Sequence, residues 1–234
     1  MSKSMSNVDV VDLAELELRE VNARLQQHNG SEQGGHFRVI NPNGAHAVAC
    51  GLNAAVIVEI DGHTGYYAAG MNQAAEVTIK GNAGPGVAEN MMSGTVRVTG
   101  DASQYAGASG HGGLLVIEGS ASSRCGISMK GIDIVVKGNI GHMSAFMAQA
   151  GRLVVLGDVG ADFGDSLYEA RLFVRGSVKS LGADCIEKDM QDEHRDELAE
   201  ILALAQVDAN PADFKRYGSA RKLYNFNIDN VGAY

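Results

Sequence analysis

At 234 residues the chain is long enough for one elongated domain with terminal extensions and a continuous core. Its 28 acidic against 19 basic residues leave a formal net charge of −9, which argues against nucleic acid or an anionic membrane surface as the main partner. No apolar run approaches the ~18 residues of a membrane span, and the polar start MSKSMSNVDVVD is not a signal peptide. Cys50, Cys125 and Cys185 are odd in number and far apart, which fits a reduced, cytoplasmic setting better than a disulfide framework.

Residues 1–54 read as an N-terminal cap. Asp12 with Glu15 is a candidate capping box, and Leu18, Val21 and Leu25 recur at helical spacing before Gly30. The stretch 31–54 is irregular and reads as an incomplete first coil.

From 55 to 185 one pattern returns. Gly62, Gly81, Gly100, Gly119, Gly138, Gly157 and Gly176 each lie 19 residues from the next. Two positions before each glycine stand the β-branched Ile60, Ile79, Val98, Ile117, Val136, Val155 and Val174. Four before it stand Val58, Val77, Val96, Leu115, Ile134, Leu153 and Leu172. Apolar residues at a spacing of two describe a short strand with one face buried. The residue between them changes character: Glu59, Thr78 and Arg97 in early copies, then Val116, Val135, Val154 and Phe173. Seven residues after each glycine nothing larger than alanine occurs. A 19-residue period is too short for paired helices and suits one coil of a parallel β-helix. The fold class expected is therefore all-β: a right-handed parallel β-helix with helical N- and C-terminal caps.

After Cys185, EKDMQDEHRDELAEILALAQ reads as a C-terminal cap helix within 186–209, acidic at its start and apolar at Leu198, Ile201, Leu202 and Ala205. The last segment, 210–234, concentrates aromatic and basic residues: Phe214, Arg216, Tyr217, Arg221, Tyr224, Phe226 and Tyr234. Such residues are enriched at interface hot spots, so this tail is a candidate partner interface. Packing of the same rings in cis along the solenoid is the competing reading.

The chemistry-bearing residues form no constellation. GNAGPG (81–86) and GASGHGG (107–113) lead back to a strand, where a dinucleotide site would need a helix. The seven histidines show no metal-ligand spacing, and Cys125 falls where other coils place packed residues. Ser109, Ser128 and Ser166 share one position in the coil without a base beside them, which favours a turn role. No catalytic, cofactor-binding or metal residue is assigned.

The G-x-x-[GS]-x-x-x-[GA] corners resemble the Gly-rich β-helix domain at the C-terminus of glutamate synthase large subunits, and the Gly-rich C component of formylmethanofuran dehydrogenases. LREVNARL (18–25), NPNGAHAVACGL (41–52), GHTGYYAAGMNQ (62–73) and FKRYGSARKLYNFNIDN (214–230) resemble the stand-alone form of this domain, the B component of N-methylglutamate synthases (methylamine–glutamate N-methyltransferases). The resemblance implies a hetero-oligomer. One partner would be a class II glutamine amidotransferase-like subunit; another would be a glutamate synthase-like subunit with FMN and an iron–sulfur cluster. This chain would be their non-catalytic scaffold, with no cofactor of its own. A formylmethanofuran-type complex, or a glutamate synthase-like assembly using another amine, are the alternatives. Ser103, Ser122 and Lys179 depart from the fullest corner motif, which weakens the idea of a glycine-lined functional groove.

Overall fold

The computed structural model describes residues 8–28 and 34–221. Its strands are β1 (Asp9–Asp12), β2 (His36–Ile40), β3 (Ile57–Asp61), β4 (Glu76–Ile79), β5 (Thr95–Val98), β6 (Leu114–Ile117), β7 (Lys130–Val136), β8 (Ala150–Val155), β9 (Arg171–Val174), β10 (Cys185–Lys188) and β11 (Lys215–Ser219). Two α-helices accompany them, α1 (Leu18–Leu25) and α2 (Asp192–Leu204). All eleven strands join one sheet in the order β1 to β9, then β11, then β10. Pairing is parallel as far as β9. With strands about 4.8 Å apart, the stack is on the order of 50 Å long.

The 19-residue period sets the register. Val58, Val77, Val96, Leu115, Ile134, Leu153 and Leu172 are consecutive cross-strand partners, and all are buried. A second line of bridges runs through Thr64, Ala83, Ala102, Ala121, Ile140, Val159 and Val178. The fold is thus a parallel β-solenoid of about seven 19-residue turns around a core of aliphatic ladders.

Two bends in each coil use different physics. At the corner glycines the constraint is close approach: a methyl group on Gly119 would stand 2.8 Å from the Gly100 carbonyl oxygen, and one on Gly138 2.7 Å from that of Gly119. Removing the side chain lets the amides of Gly100, Gly119, Gly138 and Gly157 donate to the carbonyl of the previous corner glycine, at 3.0 Å for Gly119 and 2.8 Å for Gly138. At the second bend the constraint is the dihedral angle. Tyr67, Ala69 and Met71 alternate through positive φ (61, 53 and 54°), as do Met143, Ala145 and Met147 four coils later. A non-glycine residue there costs about 1 kcal/mol or more and must be held by its surroundings. Neighbouring coils do so from both sides: Tyr67 donates to Pro85 O and Met71 to Glu89 O of the next coil, whereas Ala69 donates to Val48 O of the preceding one.

The N-terminal region differs from the expected irregular cap. β1 and β2 are two further rungs of the ladder, with Val11 paired to Val39 and Val39 to Ile60. The β1–β2 spacing departs from 19 because α1 and its flanking loops lie between them, and a longer loop joins β2 to β3. The capping box belongs to Glu17 and Glu20. Asp12 ends β1 instead and accepts from the Ala14 amide and Asn41 Nδ2, both at 2.8 Å.

The C-terminal helix also sits elsewhere than expected. Residues Cys185–Lys188 form β10 first, so α2 starts only at Asp192. It lies along the flank, where Leu198, Ile201, Leu202 and Ala205 cover Val116, Val135, Val154 and Phe173 in a second core. Thirteen residues at 1.5 Å span about 20 Å, enough to cross the four strands β6 to β9. The parallel stack is closed by β11, inserted antiparallel between β9 and β10.

Candidate docking surfaces

One ladder was not anticipated. The residue after each corner glycine is His63, Asn82, Asp101, Ser120, Asn139, Asp158 or Ser177. The side chain of each of the first six accepts a hydrogen bond from the backbone amide one coil on, at 2.7 to 3.1 Å. The Ser177 amide and hydroxyl hold the Asp158 carboxyl below the usual carboxylate range. The signal was legible: seven acceptor-bearing residues at the same 19-residue spacing. These side chains are committed to joining coils.

The outer face of the strands carries charge. Glu59 and Asp61 share Lys80 at 2.7 and 3.1 Å, and Asp61 also takes Arg38 at 2.5 Å. Glu118 bridges Arg97 and Lys137; burial pushes its carboxyl up, but the two cations outweigh that and lower it. Where this stripe meets α2, Arg152 grips Asp133 at 2.5 Å while Arg171 reaches Glu197 at 2.6 Å. These residues line an open groove of about 600 Å³ with Gly131, Gly151 and Glu169. Its arginines already face carboxylates of the same chain.

The expected partner tail divides in three. Phe214 and Tyr217 are 4 % and 5 % exposed, Phe214 in the core under α2 and Tyr217 edge-on to Phe163 at 5.9 Å. They are therefore withdrawn as docking residues, because Tyr217 belongs to β11, a strand of the molecule's own sheet, and Phe214 just before it is packed in the core with α2. Arg216 is half-buried and donates to Asp189 O at 2.9 Å, and Arg221 pairs with Asp184. Tyr224, Phe226 and Tyr234 lie outside the described residues.

Nucleophile chemistry is disfavoured at the cysteines. Burial pushes the thiol up to about 12 at Cys125 and about 11 at Cys50, and burial with the Asp165 charge pushes Cys185 to about 12. Thiols so protonated at neutral pH are poor nucleophiles. Ser109, Ser128 and Ser166 occupy the positive-φ position (53, 53 and 57°), which accounts for them as turn residues. GNAGPG and GASGHGG are bends of successive coils, their amides used between rungs. Among the described residues, no group of three or more His, Cys, Asp or Glu could hold a metal ion, and no helix is long and apolar enough to cross a membrane.

Fold and surface together define a glycine-cornered parallel β-solenoid that presents long faces to its surroundings. No family model matches the sequence. Protein GlxC of Rhizobium meliloti (strain 1021) is 66% identical over 226 residues, which cover 96% of this chain and 99% of the relative. The chain belongs to the same family as GlxC.

Proposed function

We propose that the chain is the non-catalytic scaffold of a glutamate synthase-like complex that forms N-methylglutamate from glutamate and methylamine, with release of ammonia. The observation that carries this reading is the continuous parallel ladder of seven coils, shifted in register only between Lys130 and Asp133 of the strands and joined by a second line of bridges. Such a stack behaves as a stiff spacer, since every coil is locked from both sides. Stiffness is useful where an intermediate such as ammonia must pass between two sites, because modest misplacement costs large rate factors. The glycine-corner resemblance to glutamate synthase domains supports the same assembly. In it, an amidotransferase-like subunit and a second one with FMN and an iron–sulfur cluster sit on the solenoid's faces in the cytoplasm.

The test is affinity purification of the tagged chain from its native host, with mass spectrometry and rate measurements. Recovery of both companions, with methylamine preferred over ammonia, is the expected result. Recovery of a metallohydrolase-like protein with a formyltransferase, or turnover by the chain alone, overturns it. The isolated chain is expected to show no bound-flavin absorbance.

A further inference from the structure

The first coils contain an exception to their own pattern. Five residues after the corner glycine, successive coils carry Tyr67, Gly86, Tyr105, Arg124, Met143 and Asp162, all at positive φ between 54 and 71°. Five of the six are not glycine, so the backbone angle does not require glycine at 86. What glycine leaves there is a notch one rung deep, between a coil bearing Tyr67 and a coil bearing Tyr105.

The surroundings of that notch are chemically specific. The point a methyl group on Gly86 would occupy lies 2.7 Å from Glu89 Oε2, 3.5 Å from Tyr66 Cε2 and 3.8 Å from Tyr67 Cδ2. The two tyrosine rings stand 5.5 Å apart, and the Tyr67 hydroxyl is fixed by Asn90 Nδ2 at 3.2 Å. Glu89 is half-buried, yet among the described residues no cation or side-chain donor meets its carboxylate. Elsewhere on the molecule the half-buried carboxylates Glu59, Glu118 and Asp133 have cationic partners, and Asp12 and Asp165 accept from amides or a hydroxyl. Tyr66 is 49% exposed and Tyr67 and Glu89 are half-buried, while Gly86 at the base is buried.

We propose that Gly86, Glu89, Tyr66 and Tyr67 form a binding site for a primary alkylammonium head group, the carboxylate supplying the counter-charge and the tyrosine rings the aromatic wall. A carboxylate and π-systems converging on a space without a cation of its own attract a cation electrostatically, and a compact ammonium fits a notch left by one missing side chain. Burial alone holds the Glu89 carboxyl above the usual glutamate value, a cost that an incoming cation relieves. The site stands on the residues of these coils and does not depend on the assembly proposed above.

Two sources share this chemistry, a free small amine and a lysine side chain of another protein. The experiment is a titration of the full chain, followed by NMR at Tyr66, Tyr67 and Glu89. The probes are methylammonium chloride, Nα-acetyl-lysine amide and sodium chloride as ionic-strength control. Saturable shifts in the millimolar range with at least one ammonium and none with sodium are expected. Tighter binding of methylammonium assigns a free amine, and tighter binding of the lysine derivative assigns a protein partner. Glu89→Gln, with an unchanged thermal melt, should weaken binding at least about tenfold, and Tyr66→Leu about two- to fivefold. Shifts that sodium reproduces, or binding that Glu89→Gln leaves intact, overturn the site.

Discussion

The early and late coils share one interior and differ in one outward residue. In β3 to β5 that residue is Glu59, Thr78 or Arg97, and the face is a charged or polar stripe. In β6 to β9 it is Val116, Val135, Val154 or Phe173, all buried, and α2 lies on them. Inward residues make the ladder regardless of what lies outside. A single outward position per coil decides whether that coil is finished or needs a cover. The boundary is marked by Arg97, whose guanidinium joins Glu118 on one side and the Ala205 carbonyl at the end of α2, at 2.8 Å, on the other.

The strongest way to break the contrast is truncation. Ending the chain at residue 210 removes Phe214 and β11, opening the late end of the sheet while leaving the early coils paired. Loss of Phe214 alone costs about 3–5 kcal/mol, so this variant should lose its cooperative transition in circular dichroism, whereas ending after Arg221 should not. An intact melt for the shorter chain would mean β11 is dispensable.

Substitution at equivalent positions sharpens the contrast. Phe173→Ala should cost about 3–5 kcal/mol in denaturant unfolding, because it leaves a cavity under α2. Thr78→Ala, at the same place in an uncovered coil, should stay within about 0.5 kcal/mol. Equal effects would sink the distinction. Arg97→Ala should cost about 1 kcal/mol and show first as faster amide exchange in the last turn of α2.

Acid should act by the same division, more gently. His194 of α2 is held below its ordinary value by burial and by the Arg216 charge, and its Nδ1 accepts the Gln191 amide. A depressed histidine stays neutral when folded, so the unfolded chain takes up the proton first and stability falls as pH drops below about 6.5. Glu59, Asp61, Glu118 and Asp158 are also depressed, by cations or amides, and their contribution is lost further down, as pH falls through their folded values. Thermal melts from pH 8 to 3 should show the shallow first step vanish in His194→Gln while the carboxylate step remains.

Much of this was legible in the chain. Alternating β-branched residues ahead of glycines every 19 positions determined the strands, their parallel register and the direction each side chain faces, because coil length fixes which residues can stack. The acceptors that follow each glycine carried the same period. The change from Thr78 to Val116 was visible as well, but not what would cover the valines.

Tertiary structure alone decided the rest. β1 and β2 joined the ladder with other spacings because pairing depends on where a segment can reach, not on how many residues loop out before it. Phe214 and Tyr217 turned inward because a strand slot was open beside β9. The vacancy beside Glu89 arises because Gly86 lacks a side chain where the rungs before and after it carry tyrosines, a relation between coils that no local stretch of sequence expresses.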